Sequence, residues 1–250
     1  MSGHSKWSTI KRKKGAEDAR RGKLFTKLSR AIILAARDGG PDPETNATLA
    51  NAIAKARSYS MPKDTIERAV ARGAGDGEGS DNYEAISYEG YGPDGVAILV
   101  EALTDNRNRT AADVRSIFAK HNSSLGTPGS VAWQFERKGM IGVPAEGVSE
   151  DDIVLAAADA GAEDVAADGD SWQVSTAPTD LATVRDALEA AGLAIDSAEL
   201  TMVPKSTVAL EADGARRVLR LIEALEDLDD VQDVYANFDI PDAVLEAVAG

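Results

Sequence analysis

Eleven Lys and Arg stand in the first 37 residues against two acids, Glu17 and Asp18, a local net of +9. The whole chain carries −15, so everything after residue 37 holds −24. Cations of one sign at this density suit a run of phosphates. Trp7, next to Lys6, adds a ring able to stack on a base. The candidate nucleic-acid-binding residues of this segment are Lys6, Trp7, Lys11, Arg12, Lys13, Lys14, Arg20, Lys23, Lys27 and Arg30. A solvated face is the ordinary meaning of a charge run. Here the single sign, in a chain acidic elsewhere, and the adjoining Trp favour nucleic acid. Anionic lipid is a poorer fit, because the apolar side of the segment has one aromatic, Phe25, and is needed to hold other helices.

A second candidate contact is the loop at 105–110, Asp-Asn-Arg-Asn-Arg-Thr. It leaves a strand and enters a helix, and it sets Arg107 and Arg109 near a helix N-terminus, a place that suits a phosphate. The alternative stays open: Asp and Asn make the turn, Thr110 caps the helix, and both arginines pair with local acids. Gly90, Gly92 and Gly95 spell the dinucleotide-binding string, but a strand rather than a helix follows, and Pro93-Asp94 makes a hairpin turn. The stretch 124–130 has turn chemistry. His4 and His121 are the only histidines and there is no cysteine, so no zinc-type ligand set, disulfide or thiol nucleophile can form. Glu89, Glu101 and Asp105 could in principle assemble a metal-dependent nuclease site, but carboxylates on an acidic surface are usually just solvated. No catalytic residue, cofactor or metal is expected.

These residues need scaffolding, and the pattern of apolar residues supplies it. From residue 16, Phe25, Leu28, Ile32 and Ala35 recur at helical spacing, with Arg20, Lys23, Lys27, Arg30 and Arg37 on a stripe far around from them. Leu34 falls among the basic residues. Gly39, Gly40 and Pro41 stop this helix. Further helices fit 44–59 and 62–72, and a Gly-rich linker follows at 73–79. Then the period changes. Residues 83–89 and 96–103 read as strands, with a helix capped by Thr110 running to about 121 and a strand at 130–135. From 139 the order is strand, helix, strand, strand, helix, strand, the split βαβ plan of a ferredoxin-like sandwich. The elements after it (strand 207–211, helix 214–225, strand 231–237) complete the unit begun at 80.

The expected fold is therefore α+β: an N-terminal three-helix domain followed by two α/β sandwich domains, the last, ferredoxin-like, inserted into the middle one. The corresponding bounds are 1–78, 79–137 plus 206–250, and 138–205. The polar N-terminus and the shortness of every apolar run point to a soluble, cytoplasmic protein.

The motifs also carry a resemblance. Gly-His-Ser-Lys-Trp at 3–7, the run Lys-Gly-Ala-Glu-Asp-Ala-Arg-Arg-Gly-Lys-Leu-Phe-Thr-Lys-Leu at 14–28, Tyr-Glu-Gly-Tyr-Gly-Pro at 88–93 and the loop 105–110 resemble the YebC/PmpR family. Leu125-Gly126 and Gly129-Ser130-Val131 fit as well. The similarity is dense to residue 138 and collinear to about 240. It implies a three-domain α/β protein without catalytic residues or cofactor. Members are described as DNA-binding transcriptional regulators, and relatives are also assigned to translation at the ribosome, where proline-rich stretches are made.

The expected function is a non-enzymatic, nucleic-acid-binding regulator of gene expression. Its partner is duplex DNA or ribosomal RNA, with the ribosome itself an alternative. A protein-interaction module using the acidic domains is the reading outside nucleic acid. The spacing of Lys and Arg for phosphates leans toward folded RNA; the family's usual description leans toward DNA. Oligomeric state is not legible.

Overall fold

Three amphipathic helices with small apolar faces must pack on one another, and in the computed structural model, which describes residues 18–75 and 83–240, they do. Helix α1 (Asp18–Gly39) lies against α2 (Ala47–Ser58) and α3 (Lys63–Gly73). Leu28, Ile32, Ile33, Ala35 and Ala36 of α1 close a core with Leu49, Ile53 and Ala56 of α2 and Ile66 and Ala69 of α3. Leu34 is half-buried. The close approach of α1 and α3 depends on Gly73, where a Cβ would run into the Ile33 carbonyl and the Ala36 methyl. Helix α2 begins three residues later than its apolar spacing implies, because Asn46 is its cap. The Asn46 carboxamide oxygen accepts from the Leu49 amide at 3.1 Å. Its nitrogen donates to the Ala35 and Gly40 carbonyls, both at 2.8 Å, so one buried side chain ties the end of α1 to the start of α2.

The middle domain is an antiparallel sheet in the order β3-β1-β2-β9. Strand β1 (Glu84–Tyr91) turns through Pro93–Gly95 into β2 (Ala97–Thr104). The glycine string thus joins two strands, with Asp94 and Gly95 at positive φ in the turn. Helix α4 (Arg107–Lys120) follows, then a two-residue edge strand, β3 (Ser124–Leu125), paired with the end of β1. Helix α7 (Ala212–Glu226) and β9 (Val231–Ala236) arrive from the far end of the chain, and β9 pairs with β2. A short parallel pair, β8 (Val208–Ala209) with β10 (Phe238–Asp239), closes the domain. Its core joins Ile98 and Val100 of β2 to Val114 and Phe118 of α4 and to Val218, Leu221, Ile222 and Leu225 of α7. Gly90 is required where β1 crosses α4, since a Cβ there would meet the Phe118 ring at 2.5 Å.

Between β3 and β8 the chain leaves to build the inserted module. Residues 136–203 form one compact unit, and the described residues on either side form the other. The module runs β4 (Phe135–Pro144), α5 (Glu150–Ala157), β5 (Ala162–Asp168), β6 (Ser171–Thr176), α6 (Leu181–Ala190) and β7 (Ser197–Pro204). Its sheet order is β5-β6-β4-β7, with β6 antiparallel to both β4 and β5, the split βαβ arrangement. Ile141, Val143, Ile153, Val174, Val184 and Leu188 fill its core. The fold class is thus the α+β architecture expected from sequence, with the ferredoxin-like sandwich inserted into the middle domain.

Two local expectations are corrected. The strand expected at 130–135 is absent: Ala132–Gln134 form a helical turn, and pairing begins only at Phe135. The amides of Val131 and Ala132, which a ladder would use, are taken by a buried carboxylate described below. Thr110 does not cap α4. Asn106 does, accepting from the Arg109 amide at 3.1 Å, and Thr110 is buried one turn inside the helix.

Candidate nucleic-acid interface

The basic stripe of α1 is positioned by the helix's own periodicity. Burying Leu28, Ile32 and Ala35 in the helical core turns Lys23, Lys27 and Arg30 away from it. They do not turn toward open solvent. They meet the corner between α7 and β9, whose sequence is Glu226-Asp227-Leu228-Asp229-Asp230. The Lys23 ammonium donates to the Asp227 carbonyl at 3.4 Å and lies 3.9 Å from the Asp229 carboxylate. Lys27 donates to the Glu226 carbonyl. Arg30 donates through Nη1 to the Asp229 carbonyl at 2.6 Å and to Asp230 Oδ1 at 3.1 Å. The Glu226 and Asp227 carbonyls are left without an intrahelical partner as α7 ends, where the helix dipole is negative, so Lys27 and Lys23 fit there twice over; Asp229 lies just beyond.

Further contacts fix the same docking. Lys55 of α2 pairs with both oxygens of Asp233, at 2.9 and 3.1 Å. Arg37 donates to the Tyr83 carbonyl at 3.0 Å, and the Arg30 guanidinium sits 5.3 Å from the centroid of the Tyr83 ring.

Asp230 is the hub. It is buried, yet its carboxyl is held below the ordinary carboxylate range. Burial alone would raise it, and the hydrogen bonds from Arg109 and Thr110 and the charges of Arg109 and Arg30 outweigh that. Arg109 reaches Asp230 and Asp105 at 2.7 Å each, and the Thr110 hydroxyl approaches Asp230 at 2.8 Å. Arg107 lies 3.5 Å from Glu84 with most of its side chain exposed. Of the two readings of the 105–110 loop, local pairing describes Arg109, while Arg107 keeps a largely free face. The cleft at this corner, about 470 Å³, is lined by more carboxylates than cations.

The candidate residues therefore fall into three groups. Lys23, Lys27, Arg30 and Arg109 are brought together around one acidic corner, with Lys23 still 54% exposed at its rim. Arg107 is exposed nearby. Arg20 lies in α1, and Lys6, Trp7, Lys11, Arg12, Lys13 and Lys14 lie outside the described residues.

At the other end of β1 is a feature that sequence reading missed. Glu89, 6% exposed, accepts from the amides of Gly129 at 2.6 Å and of Val131 and Ala132 at 2.7 Å. Burial pushes its carboxyl up, but these three amides bring it below its usual value. Both oxygens are consumed as a clamp on the 124–134 loop. The other two carboxylates of a nuclease-type set are engaged elsewhere: Glu101 accepts from the Tyr235 hydroxyl at 3.4 Å, and Asp105 pairs with Arg109. Above the clamp, Trp133 is 66% exposed and Tyr91 36%. The Trp133 indole N–H and the Tyr91 hydroxyl both donate to the Ser130 carbonyl, at 3.1 and 3.0 Å. Among the described residues no group of three or more His, Cys, Asp or Glu could hold a metal ion, and no helix is long and apolar enough to cross a membrane.

The class this defines is architectural: a helical domain with a row of Lys and Arg along α1, then a divided α/β domain with a ferredoxin-like insertion. Family comparison narrows this. Residues 5–76 match the TACO1/YebC protein N-terminal domain, and residues 83–238 match the TACO1/YebC second and third domain. The chain belongs to the TACO1/YebC family, the YebC/PmpR family of the sequence resemblance. It is 60% identical over 250 residues to a probable transcriptional regulatory protein of Rubrobacter xylanophilus, covering all of both chains. It is 59% identical to one of Acidothermus cellulolyticus, over 99% of this chain and all of that relative. A crystal structure of a conserved hypothetical protein from Aquifex aeolicus superposes with a TM-score of 0.79 at 49% identity, over 90% of this chain and 92% of the other.

Proposed function

We propose that this protein is a non-enzymatic regulator of gene expression that binds nucleic acid, acting in transcription, as its relatives' names suggest, through duplex DNA. The observation that carries the reading is the +9 N-terminal segment in a family whose curated members are called probable transcriptional regulatory proteins. The contact is made by Lys6, Trp7, Lys11, Arg12, Lys13, Lys14 and Arg20, with exposed Arg107 as an outlying phosphate contact. Lys23, Lys27, Arg30 and Arg109 hold α1 against the α7–β9 corner, and Lys23 serves at the border of the contact. The acidic remainder repels phosphates elsewhere and confines the footprint to this end.

One observation favours a second reading, a translation factor on ribosomal RNA. A duplex reader usually offers a helix with free Arg, Asn or Gln for base edges. The inner cations of α1 are engaged with α7, which leaves an arm and an exposed aromatic corner, features suited to folded RNA. Crosslinking the tagged full chain in cells and identifying the retained nucleic acid separates the two. Discrete promoter fragments that survive raised salt support the transcription reading. Ribosomal RNA enriched around one locus replaces it with the translation reading. Recovery of neither overturns both in favour of a protein partner for the acidic domains.

A further inference from the structure

The corner at Trp133 has the composition of a stacking site. The polar edges of both rings are already satisfied by the Ser130 carbonyl, so what Trp133 presents outward is ring surface. The backbone beneath is held, because the Glu89 carboxylate binds three of its amides, at 129, 131 and 132, and the Leu125 strand pairs with Gly90. Gln134 is held as well: its side-chain oxygen accepts from Asn237 at 3.1 Å, and its carbonyl accepts from the Lys205 amide at 2.8 Å. That last bond tethers an exposed lysine beside the platform.

The surroundings decide what such a platform suits. Within the unit that holds it, Tyr91 and Trp133 are the exposed large hydrophobic residues among those described; the others, Val154 and Leu155, belong to the inserted module. A protein partner would need aliphatic anchors around the aromatics. Instead the exposed residues of the adjoining loop are Ser124, Gly126, Thr127, Pro128 and Gly129, small and without an aliphatic anchor; Ser124 and Thr127 offer hydroxyls, while the Gly126 and Gly129 amides are taken by Glu89. A flat ring, two hydroxyl neighbours, a carboxylate whose oxygens are both turned inward onto backbone amides, and one ammonium match an unpaired nucleotide: base on ring, sugar and base edge on hydroxyls, phosphate on Lys205. A paired base offers no free face to such a ring, so duplex is disfavoured.

We infer that Trp133, with Tyr91 and Lys205, forms a second nucleic-acid contact that takes an unpaired nucleotide by stacking. The inference rests on the nucleic-acid reading above and adds to the contact proposed for the N-terminal segment a separate one for strands with an unstacked base. Strand β1 separates this corner from the Asp105–Asp230 corner. Seven steps of roughly 3.3 Å put them roughly 23 Å apart. One strand can touch both only if it runs along the sheet.

The test uses the full chain, a thymidine-rich single strand carrying 5-bromodeoxyuridine, and a duplex of equal length. Ultraviolet crosslinking followed by peptide mapping is expected to mark Trp133. Trp133→Ala weakens single-strand binding about tenfold, Trp133→Phe restores most of it, and duplex binding is unchanged. Because the ring is largely exposed, the variants keep their fold, which circular dichroism checks. Equal affinity of wild type and Trp133→Ala for the single strand, or an equal loss on duplex, overturns the platform while leaving the proposed function standing. A wild-type chain that binds neither probe overturns both.

Discussion

The two ends of strand β1 solve different problems with similar materials. Toward the Glu84 end, three cations, Arg30 of α1, Lys55 of α2 and Arg109 of α4, meet Asp230 and Asp233, and nearly every charge is answered inside the molecule. At the Tyr91 end, one carboxylate is answered by backbone amides and the rings above it are left uncovered. Within α1, charge alone therefore does not mark a free binding face, because Lys23, Lys27 and Arg30 are engaged with the α7–β9 corner.

Breaking the hub should have the largest effect. Asp230→Ala leaves the mostly buried Arg30 without its carboxylate and removes a partner of Arg109 and Thr110. The expected loss is about 3 kcal/mol, the lower end for a broken buried pair because Arg109 can turn to water. Urea unfolding measures it, and hydrogen exchange should show α1 loosened against β9. Glu89→Gln comes next, at about 2 kcal/mol, since an amide keeps one acceptor and points hydrogens at amides it formerly bound. Exchange should rise at 126–133 and leave the helical domain unchanged. Equal loosening of both ends in either variant would erase the distinction drawn here.

Acid acts on both ends together. The Asp230 and Glu89 carboxyls lie below their ordinary values in the fold, so the folded chain holds fewer protons than the unfolded one. The stability they contribute is complete above the usual carboxyl value, about 4, and drains as pH falls through the lowered values. A urea series across pH 6 to 2 should show that decline, with α1 undocking among the first changes. The smallest effect is that of Lys55→Ala. It removes a half-exposed pair with Asp233 and should cost no more than about 1 kcal/mol, less at high salt.

The architecture was readable because it rests on local pattern. The 3–4 spacing of Phe25, Leu28, Ile32 and Ala35 gives way to strand-like runs after the Gly-rich linker, and the split βαβ order after 139 marks the insertion. The corner chemistry was not readable, because its partners are distant. Lys23 and Asp227 are 204 positions apart, and Glu89 meets amides 40 to 43 positions on. The acidic run 226–230 following an amphipathic helix was the available signal for docking, and it passed as ordinary acidic surface. Trp133 was hidden differently. Within the expected strand 130–135 it would have been one more β-former, and only the loss of that strand to Glu89 sets it outward.

The central claim is that nucleic acid uses the segment at 6–20 and not the docked cations of α1. The most direct measurement is the salt dependence of binding to one duplex for three full-length proteins: wild type, a variant with Lys11, Arg12, Lys13 and Lys14 all changed to Ala, and Lys27→Ala with Arg30→Ala. Each lost phosphate contact lowers the slope of log K against log salt by about 0.9. The account predicts a slope reduced by about three to four in the arm variant and nearly unchanged in the α1 variant. A slope lost in the α1 variant, with folding intact, would contradict it.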